Sequence, residues 1–106
     1  MSKAVSETPR ALIEEIERLS LERNKAAHQH QLKADEIASI RERLSEPGVG
    51  DGERKSALAK IRHLKGESAE LWHQIENLDA RIMSARLRYQ VAMAENHEVI
   101  VDARPW

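Results

Sequence analysis

The sequence has no cysteine and no phenylalanine, a single tyrosine, two tryptophans and three prolines. Without cysteine there is no disulfide, no thiolate nucleophile and no Cys-based zinc site. Aromatics at 3% and few β-branched residues leave too little filling for a β-sandwich or an α/β core. No 18 consecutive apolar residues occur, and residues 1–10 contain no apolar run, so neither a membrane span nor a leader is expected. An excess of one charge is missing too. With 17 basic and 18 acidic residues the net charge is −1, and no global field draws the chain to nucleic acid or to an anionic membrane. A soluble, cytoplasmic protein of one domain is the expectation, since 106 residues hold one domain and no more.

What the chain does have is a long helical seam. Over 57–92 an apolar residue recurs at alternating steps of four and three: Ala57, Ile61, Leu64, Ser68, Leu71, Ile75, Leu78, Ile82, Ala85, Tyr89 and Ala92. Ten of these eleven are apolar in a chain that is 41% hydrophobic, the signature of a and d positions in a coiled coil. A second seam precedes it: Leu12, Ile16, Leu19, Arg23, Ala26, His30, Lys33, Ile37, Ile40 and Leu44. Its three polar members cluster in the middle, so both ends are expected dry and the centre wet or specifically paired.

Punctuation between the seams is strong. Thr8 before Pro9 marks a helix start, the hydroxyl accepting from an orphan N–H and the proline losing nothing at the first helical position. Glu14, Glu15 and Glu17 follow near the positive end of the helix dipole. Over 46–52, Pro47 and three glycines end the helix, and Asp51 is placed to cap the next one. This Gly-rich loop lacks the Lys-Ser/Thr ending and the preceding strand of a phosphate cradle, so a turn is the reading. The fold predicted is all-α: a frayed N-terminus over 1–8, a helix over 9–45, a turn over 46–52 and a helix over 53–95. A turn so short makes the helices antiparallel neighbours, a coiled-coil hairpin. After Glu95, three consecutive β-branched residues, Val99, Ile100 and Val101, precede Pro105 and Trp106, and 96–106 is predicted to be an extended tail.

Antiparallel pairing sets each a position beside a d position. It predicts Leu19 beside Ile82, His30 beside Leu71, Lys33 beside Ser68 and Ile37 beside Leu64. It also lays the acids Glu14, Glu15, Glu17 and Glu22 along Arg81, Arg86 and Arg88, opposite signs that select orientation more than they stabilise.

Catalytic chemistry finds no footing. Serines are scattered away from any convergent histidine and acid, and two packed helices offer no enclosed pocket. His28 and His30 point to different sides of a helix. Glu70 and His73 have the Glu-x-x-His spacing of one half of a di-metal bundle site, yet both fall on the solvent side of the heptad. No enzyme activity, metal, cofactor or small-molecule substrate is therefore expected. Arg23, His30 and Lys33 in the seam read as stems that pack while their heads reach out, or as devices that fix register; His30 as a pH switch is the sharper alternative.

Two surfaces remain for binding. Arg54, Lys55, Lys60, Arg62 and Lys65 concentrate near the hairpin tip, with Arg41 and Arg43 across from them, as candidates for nucleic-acid contact. Such a tip resembles, in architecture alone, the helical arm with which seryl-tRNA synthetases reach their RNA; no synthetase motif accompanies it and no residue is carried across. Glu42, Glu46 and Asp51 dilute the patch, and no aromatic is interleaved for base stacking, so a solvated charged face is the plainer reading. Apolar residues beside the seam are the second surface. Leu58, Trp72 and Met93 lie at e positions on one flank, with Ile13, Ala27 and Ala34 on the matching flank of helix one. A helix apolar at three positions per heptad belongs in a bundle, and tryptophan dominates many interfaces. The plainer alternative lays Trp72 over Ala26 and His30. The expectation is a non-enzymatic protein–protein interaction module, an adaptor, assembly factor or regulator. Its hairpin dimerises into an elongated four-helix bundle, and it meets itself and another protein through Leu58, Trp72, Met93 and the tail residues Val99, Ile100, Val101 and Trp106. A nucleic-acid arm and a filament or virion component are the alternatives.

Overall fold

A computed structural model describes residues 8–102, with side chains described over 8–95. Two helices account for it, α1 (Pro9–Leu44) and α2 (Asp51–Asp102), and no strand occurs among the described residues. None of these helices is long and apolar enough to cross a membrane.

The start of α1 is set by its cap. Thr8 Oγ1 accepts a hydrogen bond from the Ala11 N–H at 3.1 Å, and the Thr8 carbonyl accepts from the Leu12 N–H at 3.1 Å, so two donors of the first turn are satisfied. Its first turn holds no acid. Glu14, Glu15 and Glu17 begin one turn further in, where the dipole's pull has faded. The far end carries Arg41 and Arg43 in its last turn, the sign that suits a helix C-terminus. It tightens there into three-residue bonds, from Ser45 N–H to the Glu42 carbonyl at 3.2 Å and from Glu46 N–H to the Arg43 carbonyl at 3.1 Å. Gly48 then takes a φ of 87°, a left-handed conformation that any other residue would hold under strain, and the chain reverses.

Both boundaries of α2 differ from those the sequence predicts. Its first turn contains Asp51 and Glu53, and the Arg54 N–H reaches the Gly50 carbonyl at 2.9 Å, so Asp51 is helical and the cap falls to the preceding glycine. At the other end the helix continues through 96–102, where an extended tail is predicted. Propagation adds a hydrogen bond for every residue fixed, whereas each β-branched residue costs only a few tenths of a kcal/mol. A helix already formed over 51–95 therefore carries on through Val99, Ile100 and Val101 to Asp102. Residues 1–7 and 103–106, Trp106 among them, lie outside the described residues.

The chain packs as two units, Met1–Glu22 with Asn77–Trp106, and Arg23–Glu76. In the first, Leu19, Leu78, Ile82 and Ala85 form a buried cluster with Ile16 packed against it. In the second, Ile37, Ile61 and Leu64 do the same with Ile40 and Leu44. In the second, the cross-helix pairs Lys33–Glu67, Glu36–Lys60 and Arg43–Glu53 rise in number on α1 as they fall on α2, the antiparallel arrangement of a helical hairpin. The heptad decides what is inside. Every buried side chain among the described residues is a seam residue: Leu12, Leu19, Ala26, Ile37, Ile61, Leu64, Ile75, Leu78, Ile82, Ala85 and Ala92. No seam residue of either helix is exposed, Arg23, His30, Lys33 and Ser68 included.

Two leucines on one helix measure what the seam contributes. Leu19 has none of its surface exposed and Leu21 has 57% exposed. Leu19→Ala is expected to destabilise by about 3 kcal/mol, transfer and cavity terms together, and Leu21→Ala by less than about 0.5 kcal/mol. Urea unfolding at a fixed protein concentration reads both, and equal costs would remove the seam as the source of stability.

Candidate interaction surfaces

The site candidates are surfaces, and the flanks of the seam define them. In the Arg23–Glu76 unit one flank is charged and paired. Arg43 Nε donates to Glu53 Oε2 at 2.7 Å, Lys60 Nζ lies 3.3 Å from Glu36 Oε2, and Lys33 Nζ lies 3.2 Å from Glu67 Oε1. Arg43, Lys60, Glu36 and Glu67 each stand one position before a seam residue, and Glu53 lies one heptad before Lys60, so antiparallel helices bring them together along one edge. The Arg43 guanidinium is held above its ordinary pKa by the hydrogen bond to Glu53, then by the charges of Glu53 and Glu46. The Glu67 carboxyl is held below its own by the hydrogen bond from Lys33, against a smaller desolvation effect, with the charges of Lys33 and His63 adding to the lowering.

Lys33 shows how a cation sits in a seam. Its predicted neighbour in the seam is Ser68, and its ammonium reaches the adjacent Glu67. With 26% of the side chain exposed, the stem packs in the seam while the head leaves it for a carboxylate.

The other flank of this unit carries Ala27 and Ala34 on α1 and Leu58 and Trp72 on α2. Trp72 lies against His30, with ring centroids 5.6 Å apart and planes tilted by 46°. This is the contact with His30 that the plainer alternative for Trp72 expects. Yet Trp72 keeps 51% of its surface exposed and Leu58 47%. Exposed Lys65 stands between them in the same row, so the two apolar residues are separate anchors rather than one patch.

At the hairpin end, Arg54, Lys55, Lys60, Arg62 and Lys65 are all exposed. Lys60 is tied to Glu36, whereas Arg54, Lys55, Arg62 and Lys65 make no ion pair with any described residue. A shallow cleft of about 380 Å³ lies on the charged flank here, floored by Ile40, Leu44 and Ala57 and rimmed by Arg43, Glu53 and Lys60. Glu70 and His73 do not converge: the His73 Nδ1 sits 3.3 Å from Glu76 Oε1, with 80% of its side chain exposed. Among the described residues no three histidine or acidic side chains are grouped to hold a metal ion.

In the other unit the predicted meeting of acids and arginines includes a contact between Arg88 and Glu15. Arg88 donates to Glu15 Oε2 at 2.9 Å, part-buried. Glu14 and Glu22 are taken by their own helix, through Arg10 at 3.8 Å and Arg18 at 3.2 Å. Glu14 and Glu17 stand on the outer side of the heptad and point away from α2. Met93 is 43% exposed here, and the side chains of Val99, Ile100 and Val101 lie outside those described. With their backbone helical, these three cannot add a strand to a partner's sheet, as the extended tail would. One feature the seam reading passed over is the row Met83, Leu87 and Val91, exposed on the side of α2 away from α1. A search for period-four apolar rows outside the a and d positions would have found it.

The chain matches no protein-family model, no curated protein and no solved structure.

The Lys33 contact makes a pH prediction. A carboxylate depressed in the folded state stabilises above its unfolded pKa, and that contribution is lost as pH falls through the folded value. Carboxyl ¹³C titration should place Glu67 below the usual glutamate range, and Lys33→Met should move it back up and remove the corresponding acid-side loss of stability. An unmoved Glu67 midpoint would show that the bridge does not form.

Proposed function

We propose that the chain is a non-enzymatic protein–protein interaction module, an adaptor, assembly factor or regulator that acts in the cytoplasm by occupying a partner protein's surface. The observation that carries this reading is the asymmetry of the flanks in the Arg23–Glu76 unit. One flank is closed by ion pairs, while the other leaves Trp72 half open after its contact with His30. A half-open tryptophan beside alanines, with a leucine two heptads away, is the composition of an interface anchor rather than of a solvated face. In the form we propose, two hairpins pair through these flanks into a four-helix bundle, and small Ala27 and Ala34 let the second hairpin approach closely. A two-helix seam alone buries a thin core, and self-association without disulfides is the simplest supplement.

Light scattering across a wide concentration range tests this. The wild-type chain is expected as a dimer that survives dilution, and Trp72→Ala is expected to weaken the dimer by about tenfold to a hundredfold with far-UV circular dichroism unchanged. Equal masses for wild type and a folded Trp72→Ala would sink the assignment of Trp72.

A second reading has its own observation, the four exposed cations Arg54, Lys55, Arg62 and Lys65 at the hairpin end, which make no ion pair with any described residue. As a nucleic-acid arm the chain would retard single-stranded RNA or duplex DNA in a gel at low salt, retention falling steeply as salt rises. Replacing the four by glutamine would abolish it, and no shift at low salt would eliminate this reading.

A further inference from the structure

The row Met83, Leu87 and Val91 belongs to neither surface above. These side chains keep 57%, 55% and 60% of their surface exposed. They are spaced i, i+4, i+8 on α2, one ridge about 12 Å long at 1.5 Å per residue. At 100° per residue the ridge lies half a turn from the seam row Leu78, Ile82, Ala85 and Ala92, so α1 cannot cover it. Ala80, Ser84 and Ala94 complete the face, all exposed and small enough for another backbone to come close. In this unit α2 is therefore apolar on two opposite sides, the pattern of a helix packed between two neighbours, only one of which is α1.

Charge identifies the missing neighbour. No acid occurs over 80–94, while Arg81 and Arg88 border the face on one side and Arg86 on the other. Arg88 is bonded to Glu15; Arg81 and Arg86 make no ion pair with any described residue. A second copy laid back to back on this face would set arginine rows against each other, a like-charge arrangement that is selected against. A bilayer surface is matched by a broad face with aromatic and leucine residues, whereas this is a single row without an aromatic. From these features we propose that the outer face of α2 around Leu87 docks an acidic amphipathic helix of another protein, its apolar row meeting Met83, Leu87 and Val91 and its flanking carboxylates meeting the arginine rim.

The probes are two dye-labelled synthetic three-heptad helices with leucine at a and d, one carrying glutamate and the other lysine at e and g, read by fluorescence anisotropy against the full chain. The glutamate helix is expected to bind about tenfold or more tighter than the lysine helix, with affinity falling as salt rises. Leu87→Gln, at a site too exposed to endanger folding, is expected to abolish this binding, and Arg81→Gln with Arg86→Gln to remove the preference for glutamate. Leu32→Gln, on an exposed leucine of the other unit, and Trp72→Ala are expected to leave it unchanged, which separates this face from the proposed pairing surface. Equal binding of the two helices, no binding of either, or equal loss in Leu32→Gln would overturn the proposal. So would a wild-type dimer that Leu87→Gln dissociates, or Leu87-dependent retention on phosphatidylserine vesicles in place of peptide binding.

Discussion

The structure depends on burying two rows of apolar side chains that repeat at steps of four and three. A helix bearing such a row cannot leave it in water, because each large side chain costs on the order of 1.5–3 kcal/mol when exposed rather than buried. Nothing else in the chain is available to cover these rows. Cysteine is absent, aromatics are few, and apolar residues are concentrated at the heptad positions. The two helices must cover each other, and the correspondence between seam membership and burial, with every buried side chain among the described residues a seam residue, follows from that single requirement.

With the seam fixed, the flanks become distinguishable. Positions just before each seam residue carry most of the charge that can cross between helices, and there Arg43 meets Glu53, Lys60 meets Glu36 and Arg88 meets Glu15. The Arg43–Glu53 and Lys60–Glu36 pairs are largely solvent-exposed and add little stability individually, whereas Arg88–Glu15 is part-buried. Positions just after the seam residues carry Ala27, Ala34, Leu58 and Trp72, which cannot pair with charge. In the Arg23–Glu76 unit the two edges of the seam therefore differ in kind, one holding ion pairs between the helices and the other exposing Leu58 and Trp72.

Electrostatics across the hairpin are governed by competition within each helix. Glu14 and Glu22 lie four residues from arginines on α1, and bonds within a helix need no particular lateral register. Arg81 and Arg86 are left facing solvent around an apolar row that α1 cannot reach. The same competition explains Lys33, whose long stem satisfies the seam while its ammonium leaves for Glu67.

What the sequence by itself determined is everything that depends on short-range spacing. The seams, the Thr8 cap with Pro9, the Gly48 turn and the antiparallel order follow from periodicity and backbone chemistry that act within a few residues. Only the tertiary structure decided which side chains meet. Trp72 lies on His30, the Lys33 ammonium reaches Glu67, and among the described residues Arg88, unlike Arg81 and Arg86, reaches an acid across the hairpin, because lateral geometry and rival neighbours choose among partners of similar local chemistry. The course of α2 through 96–102 belongs with these. Propensity at Val99, Ile100 and Val101 favours extension, and it yields to the momentum of a helix already formed, since adding a turn to an existing helix carries none of the cost of starting one.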